Sequence, residues 1–326
     1  MNKFAFISPN GRVNIIRIFV LIALGCFPLL QDAYLLSQLT VFLVYGLFAM
    51  SLSLIWGYGG ILCFGHAVFF GIGAYIMALT TKGMIPGMTG IFTSTLFALL
   101  LSIAGTALFA SILGYFLFSG RLSGPYFGIV TLAVAVVAER IATKWDYIGG
   151  FNGLTNIPAF SIGGYEVLDP LVLFYVILGI CLILYLISDR IVNAPFGTIL
   201  SAVRDNEDRV EFFGYNIANL KILIFSISAG IAGLAGALFA VAAEFVSPTI
   251  LGFSLSTEVL IWVALGGREI LLAAFLGAIS VRTIEALLSD ILGYYWILGL
   301  GVLFILCVMF FPRGLFGQLL SNKPRN

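Results

Sequence analysis

Side chains capable of catalysis or metal binding are sparse in this sequence. The chain contains one histidine, His66, and four cysteines, which stand far apart in apolar runs without a C-x-x-C pair. The cysteines are therefore expected to be small buried hydrophobic residues. No G-x-x-x-x-G-K-[ST] loop, which would cradle nucleotide phosphates, occurs anywhere in the sequence. We therefore expect no enzyme activity, no metal site and no cofactor bound by this chain.

The first segment with a potential function is rich in glycine and extends from Gly57 to Tyr75. Its glycines are Gly57, Gly59, Gly60, Gly65, Gly71 and Gly73. Glycines in membrane helices let two backbones approach closely, and irregular backbone at membrane depth is tolerated where protein or water shields it. His66 stands where a new helix is expected to begin. It either caps a helix or bonds to a neighbour, or it contacts a substrate.

A second segment of small residues, GIAGLAG, extends from Gly230 to Gly236. Gly230 and Gly233 lie on a ridge of small residues along a predicted helix. Close helix packing is one interpretation of this ridge, and the lining of a substrate path is the other.

A long polar segment, residues 189–219, separates two apolar stretches. We predict a short amphipathic helix from Phe196 to Phe213, because apolar residues recur there at roughly helical spacing. These apolar residues are Leu200, Val203, Val210 and Phe213. The apolar face requires a partner, either the lipid interface or a groove on a soluble protein. The charges around it have mixed sign, which favours a protein partner, since a lipid-binding face would carry mostly Lys and Arg.

The composition shows what must position these segments. Hydrophobic residues make up 61% of the 326 residues and charged residues 10%, whereas soluble domains carry roughly 25% charged residues. The bilayer must therefore be the solvent for most of the chain. The net charge of +1 provides no basic field for nucleic acid. We expect one transmembrane domain over residues 1–326.

About 20 apolar residues are needed to cross the hydrocarbon core as a helix. Clear candidate spans lie near 14–30, 37–56, 66–81, 91–118, 126–143, 170–188, 220–243 and 291–311. The apolar stretch 256–288 is interrupted by Gly266-Gly267-Arg268-Glu269. We predict that it divides at Gly266-Gly267, which gives ten spans, and that 256–266 forms a short, broken or re-entrant helix.

Charge asymmetry sets the expected orientation, because short cytoplasmic loops collect Lys and Arg. The positions that indicate a cytoplasmic location are Lys3, Arg12, Arg17, Arg121, Arg190, Arg204, Arg209, Lys221, Arg313, Lys323 and Arg325. Ten spans place both termini and the 189–219 segment inside. They place the polar loop 144–169 outside.

Six blocks of this sequence resemble the permeases of ATP-binding cassette (ABC) importers for branched-chain amino acids, and they occur in that family's order. The blocks are GYGGILCFGHAVFFGIGAY (57–75), GGFNGLTNIP (149–158), APFGTILSAVRDNEDRVEFFGYN (194–216), GIAGLAGALFA (230–240), WVALGGR (262–268) and FFPRGLFG (310–317). The resemblance implies an all-α polytopic protein with the type II ABC importer fold, in the bacterial inner membrane.

The resemblance also implies partners. These are a second permease subunit, two ATPase subunits that bind ATP and magnesium, a periplasmic substrate-binding protein and the surrounding lipid. It identifies the 189–219 segment as the coupling loop that docks on the ATPase, with Arg204, Glu207, Arg209 and Gly214 as candidate coupling residues. Glu207 and Gly214 match the family's Glu-Ala-Ala…Gly motif, whereas Arg209 and Val210 replace its two small residues.

The cargo implied by the resemblance is a branched-chain or other hydrophobic amino acid. Urea or short amides are the alternative, since SLIWGYGGIL and EVLIWVALGGR are similar to the urea branch of the family. A secondary transporter is a further alternative, but no ladder of acidic residues indicates coupling to protons or sodium.

Overall fold

The computed structural model describes residues 25, 32–87, 90–122, 124–162, 165–292, 298–299, 301–302, 305, 309 and 314–320. Its helices are α1 (Ala33–Ser53), α2 (Ala67–Thr81), α3 (Thr95–Ser119), α4 (Pro125–Lys144), α5 (Pro170–Asn193), α6 (Pro195–Asp205), α7 (Glu207–Phe212), α8 (Ile217–Ala243), α9 (Phe253–Gly266), α10 (Leu271–Leu292) and α11 (Leu315–Leu320). Four two-residue strands, β1 (Leu154–Thr155), β2 (Ser161–Ile162), β3 (Tyr165–Glu166) and β4 (Phe245–Val246), form the pairs β1–β4 and β2–β3, both antiparallel.

Helix α8 is the centre of the fold. Nearly every residue from Ile224 to Val241 is buried, and α1, α2 and α3 pack around the helix. A helix that is apolar on all sides is buried in this way. The packing is close because small residues face each other: a Cβ on Gly73 of α2 would overlap the carbonyl of Gly233 on α8, and a Cβ on Gly233 would overlap Thr106 of α3.

Helix α1 does not continue directly into α2. It ends in a π-helical turn, Leu54–Tyr58, and an irregular segment then leads to α2. Glycine is required at two positions of this break. A Cβ on Gly57 would overlap the carbonyl oxygen of Arg268, and Gly60 adopts the left-handed conformation with φ +68°.

The loops of the described residues divide between two ends of the helix bundle. At one end, which we call the Arg204 face, Arg204 donates to the carbonyl of Gly57, Ser53 Oγ donates to the carbonyl of Arg268 at 2.9 Å, and Gly314 lies against Gly267. At the other end, the Lys82 face, Lys82 Nζ donates to the carbonyl of Thr155 at 2.7 Å, and β1 pairs with β4. The 195–212 helices and the 144–169 loop therefore lie at opposite ends.

Six helices in the described part of the chain are long and apolar enough to cross a membrane. They are Ala33–Tyr58, Thr95–Ser119, Pro125–Lys144, Pro170–Asn193, Ile217–Ala243 and Leu271–Ser289. Two shorter apolar helices, Ala67–Thr81 and Phe253–Gly266, account for the predicted spans 66–81 and 256–266. The predicted span 14–30 lies outside the described residues except for residue 25, and most of 291–311 also lies outside them.

The interrupted stretch 256–288 forms two helices. Helix α9 ends at Gly266, and Gly267, with φ +127°, ends the helical conformation. Its 14 residues rise about 21 Å at 1.5 Å per residue, which is shorter than the hydrocarbon core of about 30 Å. Helix α10 then begins at Leu271.

Candidate functional site

The polar segment at the Arg204 face forms two helices, so the prediction of one short helix from Phe196 to Phe213 was wrong. Helix α6 ends at Asp205, and Asn206 has an extended conformation with φ −162° and ψ 103°. The side-chain oxygen of Asn206 accepts a hydrogen bond from the backbone N–H of Arg209 at 3.0 Å. An asparagine in this role is a favourable N-cap, so it starts α7 and interrupts the helical spacing.

Three of the four predicted apolar positions of this segment are buried in the chain itself. Leu200, Val203 and Val210 face inward. Phe213 does not join them: 79% of its surface is exposed, beside Phe212, which is 91% exposed. Phe212 is the last residue of α7, and Phe213 follows it where the helix ends. We call residues 189–219, the predicted coupling loop, the coupling segment, and Phe212 and Phe213 its aromatic tip.

Ion pairs fasten α7 to the bundle. Lys221 Nζ lies 2.6 Å from Glu207 Oε2, and the lysine side chain is 8% exposed while that of Glu207 is 46% exposed. One turn further along α7, Arg121 Nη2 lies 3.2 Å from Glu211 Oε1, and both side chains are exposed. The first pair is partly desolvated, so removal of one partner would leave a poorly solvated charge and cost more than disruption of the second pair, since exposed pairs contribute about 0–1 kcal/mol.

The four candidate coupling residues have different surroundings. Arg204 packs on Gly60 and donates to the carbonyl of Gly57, so it links α6 to the break after α1. Glu207 pairs with Lys221 of α8. Arg209 is exposed. Gly214 has φ +88° and its N–H donates to the carbonyl of Glu211 at 2.8 Å, which ends α7.

The glycines of the 57–75 segment lie against backbone or side chains of other elements. A Cβ on Gly65 would overlap the carbonyl of Thr131, one on Gly71 would meet Leu251 and one on Gly73 would overlap Gly233. Gly59 lies over the carbonyl of Ile55 in its own helix end. Gly230 differs, because a Cβ there would make only an ordinary contact at 3.5 Å with Ile103.

His66 is fully buried beside α1. Its ring stacks on Phe48 with a centroid separation of 5.4 Å, and its Nε2 lies 2.9 Å from Ser51 Oγ. The Ser51 hydroxyl donates its proton to the carbonyl of Phe48 at 2.7 Å. The histidine must therefore donate from Nε2. Among the described residues, its Nδ1 has no hydrogen-bond partner.

One charged cluster was only partly visible in the sequence. Arg282 pairs with Glu285 three residues later, and also with Glu258 of α9 at 3.5 Å. Its guanidinium lies 4.4 Å from the ring of Tyr45 and 5.3 Å from that of Trp262. The i, i+3 spacing is typical of the first pair. The other contacts join α1, α9 and α10, which are distant in the sequence, so no local sequence pattern predicts them. The described residues contain no group of three His, Cys, Asp or Glu side chains that could hold a metal ion.

The helices and the two loop faces define a multi-pass membrane protein with an anchored, partly exposed helical segment at one end. The sequence profile described as "Branched-chain amino acid transport system / permease component" matches residues 34–311. The chain belongs to this family, and it is a permease component of a transport system.

Curated relatives agree with this assignment. The chain is 28% identical to the high-affinity branched-chain amino acid transport system permease protein LivM of Escherichia coli, over 96% of this chain and 78% of that protein. It is 31% identical to the probable branched-chain amino acid transport permease protein LivM of Methanocaldococcus jannaschii, over 60% and 64% of the two chains. It is 23% identical to BraD of Pseudomonas aeruginosa, over 87% and 95%. No solved structure matches the chain significantly.

Proposed function

We propose that this chain is the membrane-spanning permease subunit of an ATP-driven importer for branched-chain amino acids. Separate subunits hydrolyse ATP, and the permease opens its pathway alternately to the two sides of the inner membrane. The names of the curated relatives support this cargo over urea or short amides. Ten spans, the type II importer fold and cytoplasmic termini are part of the proposal.

The observation that carries the proposal is the construction of the coupling segment. Its aromatic tip is exposed, whereas Leu200, Val203 and Val210 are buried, and Glu207 and Glu211 fasten it to α8 and to the turn after α3. Exposed aromatic side chains on a fixed base are typical anchors for a protein partner. A displacement of the tip is transmitted to α8 through Glu207 and to the break after α1 through Arg204.

The proposed orientation of the protein in the membrane is based on the same segment. The Arg204 face carries Arg121, Arg204, Arg209 and Lys221, and a cytoplasmic loop is expected to be rich in such residues. The 144–169 loop at the opposite end would then meet the periplasmic substrate-binding protein. The short helix α9 would be shielded by the neighbouring helices.

Reconstituted transport tests the proposed function. The complex of this chain with its second permease and ATPase subunits is placed in proteoliposomes with ATP inside and the substrate-binding protein outside. We expect uptake of tritiated L-leucine that requires ATP hydrolysis and is competed by isoleucine and valine. A non-hydrolysable ATP analogue is the control. Uptake that continues with the analogue would indicate a secondary transporter, and competition by urea alone would indicate the urea alternative.

A further inference from the structure

Two cavities adjoin at the Arg204 face beneath the coupling segment, with volumes of about 600 Å³ and about 400 Å³. Both are lined by Phe118, Leu122, Glu207 and Lys221, so the ion pair that fastens α7 stands where they meet. We call the smaller cavity the Leu62 pocket. Its other lining residues come from the break after α1 and from the start of α4, and they are Gly60, Ile61, Leu62, Phe64, Gly124, Pro125 and Phe127.

The chemistry of the Leu62 pocket is amphiphilic. Its walls are aliphatic and aromatic side chains, and of its lining residues only Glu207 and Lys221 are charged. Lys221 is nearly buried and lies over the ring of Phe118 at 5.8 Å, so its ammonium is held in place. A volume of about 400 Å³ lies within the range of small-molecule sites, about 300–1,000 Å³.

The start of α4 adds a second feature suited to an anion. Gly124 precedes the helix with φ 58° and no side chain caps it, while Pro125 occupies the first turn. An uncapped helix start presents free N–H groups and a partial positive charge. The lining of the pocket therefore includes a nearly buried ammonium and a helix start, and Glu207 provides the opposite charge.

We propose that the Leu62 pocket is a binding site for the zwitterion of an aliphatic amino acid on the side of the membrane where cargo is released. The carboxylate of the ligand binds Lys221, its ammonium binds Glu207, and its side chain lies among Leu62, Phe64 and Phe127. The inference rests on the proposed function for the class of cargo. The ligand exchanges with the Glu207–Lys221 pair, so its binding also loosens α7 from α8.

Equilibrium binding of tritiated L-leucine tests the site. The probe is added to the full complex in phosphatidylcholine nanodiscs without the substrate-binding protein. Two competitors each lack one charge: 4-methylpentanoate lacks the ammonium, and isopentylamine lacks the carboxylate. We expect both to compete at least tenfold more weakly than unlabelled leucine. Equal competition by all three compounds would identify a merely apolar crevice and overturn the proposal.

Variants locate the binding. Leu62→Trp fills the pocket without altering either charge, and it is expected to weaken leucine binding at least tenfold. Leu122→Trp, in the turn between α3 and α4, fills the pocket from another wall and serves as a second variant if the first does not assemble. Leu168→Trp, an exposed leucine at the Lys82 face, is the matched control and should bind as the wild type does. Leucine binding unchanged in both filling variants would overturn the proposal.

Two further outcomes separate this inference from its alternatives. The binding is repeated in nanodiscs that contain phosphatidylethanolamine. If the complex retains this lipid in the pocket and leucine does not displace it, the pocket is a lipid site and the inference is overturned. Leucine uptake is measured in parallel with the substrate-binding protein and ATP. If the complex takes up leucine but leucine binding is the same whether or not the pocket is filled, the inference is overturned and the proposed function stands. Absence of uptake for every aliphatic amino acid would instead contradict the proposed function itself.

Discussion

At the scale of single residues, the glycines of α2 and α8 are distinguished by what lies opposite each of them. Gly73 and Gly233 meet backbone to backbone, whereas Gly230 faces Ile103 at van der Waals distance. The sequence groups Gly230 and Gly233 on one ridge, but only Gly233 has no room for a methyl group. Gly233 therefore fits the packing interpretation of the ridge, and the lining of a substrate path by Gly230 stays a prediction.

We expect Gly73→Ala to destabilise the permease by about 1–3 kcal/mol, because overpacking a tight contact has this magnitude. Gly230→Ala is the matched control, since it adds the same methyl group to a neighbouring contact of α8, with Ile103 of α3, where there is room for it, and it should change stability by less than about 0.5 kcal/mol. Thermal unfolding of the purified chain in detergent micelles measures both. An equal loss in the two variants would contradict the packing described for α2 and α8.

The Arg282 cluster leads to a second prediction at this scale. Arg282→Met removes the charge that balances Glu258 and Glu285 and also the contact with Tyr45. Breaking a buried ion pair from one side costs about 3–5 kcal/mol, and we expect a loss toward this range. Arg140→Met on the exposed side of α4 is the control and should have little effect.

A rescue variant separates charge from packing. Adding Glu258→Gln and Glu285→Gln to Arg282→Met should restore most of the thermal stability, because no unpaired carboxylate then remains. If the triple variant is as unstable as Arg282→Met, the ion pairs contribute little. The stability would then come from the stacking of the guanidinium on the aromatic rings.

At the scale of elements, the sequence predicted the amphipathic character of the coupling segment but not its division. Leu200, Val203 and Val210 were grouped correctly on one apolar face, because local spacing determines which residues share a helix face, but that face packs on this chain and does not await an outside partner as the sequence suggested. Phe213 was placed wrongly, because α7 ends at Phe212 and the helical spacing does not continue to the next residue. The pairing of Glu207 with Lys221 depends on where α8 lies, and short-range patterns contain no information about that.

The Glu207–Lys221 pair gives a prediction about coupling. Glu207→Gln leaves the buried Lys221 ammonium without its carboxylate and loosens α7 from α8. Because Glu207 is half exposed, we expect a cost of about 1–2 kcal/mol, below the range for fully buried pairs. Leucine transported per ATP hydrolysed should fall several-fold, while ATP hydrolysis continues.

The matched control for this prediction is Asp208→Asn. It removes a neighbouring exposed carboxylate on the same helix and should leave the transport ratio unchanged. A Glu207→Gln complex that transports leucine with the wild-type ratio would show that the pair does not transmit movement between α7 and α8.

At the scale of the whole molecule, composition alone identified the membrane as the solvent, because 10% charged residues cannot solvate a globular surface. Long apolar runs located the six long helices. Helix α2 was predicted as a clear span and α9 as a short, broken or re-entrant helix, and hydropathy does not report whether a helix of 14 or 15 residues crosses the bilayer or is shielded within it. The sequence did indicate the break between α9 and α10, through Gly266-Gly267.

The division of the loops between two faces connects the fold to the proposed function. Contacts among the described residues place α6, α7, the break after α1 and α11 at one end. The 144–169 loop lies with β4 at the other end. The proposal requires the first end to face the cytoplasm and the ATPase subunits.

Labelling of single cysteines from each side of the membrane tests this requirement most directly. In a chain whose native cysteines are replaced, Phe213→Cys and Phe151→Cys place exposed thiols at the Arg204 and Lys82 faces. We predict that a membrane-impermeant maleimide labels Phe213→Cys only from the cytoplasmic side, and that bound ATPase subunits protect it. Phe151→Cys should be labelled only from the periplasmic side. Labelling of Phe213→Cys from the periplasm, or undiminished labelling with the ATPase bound, would contradict the account.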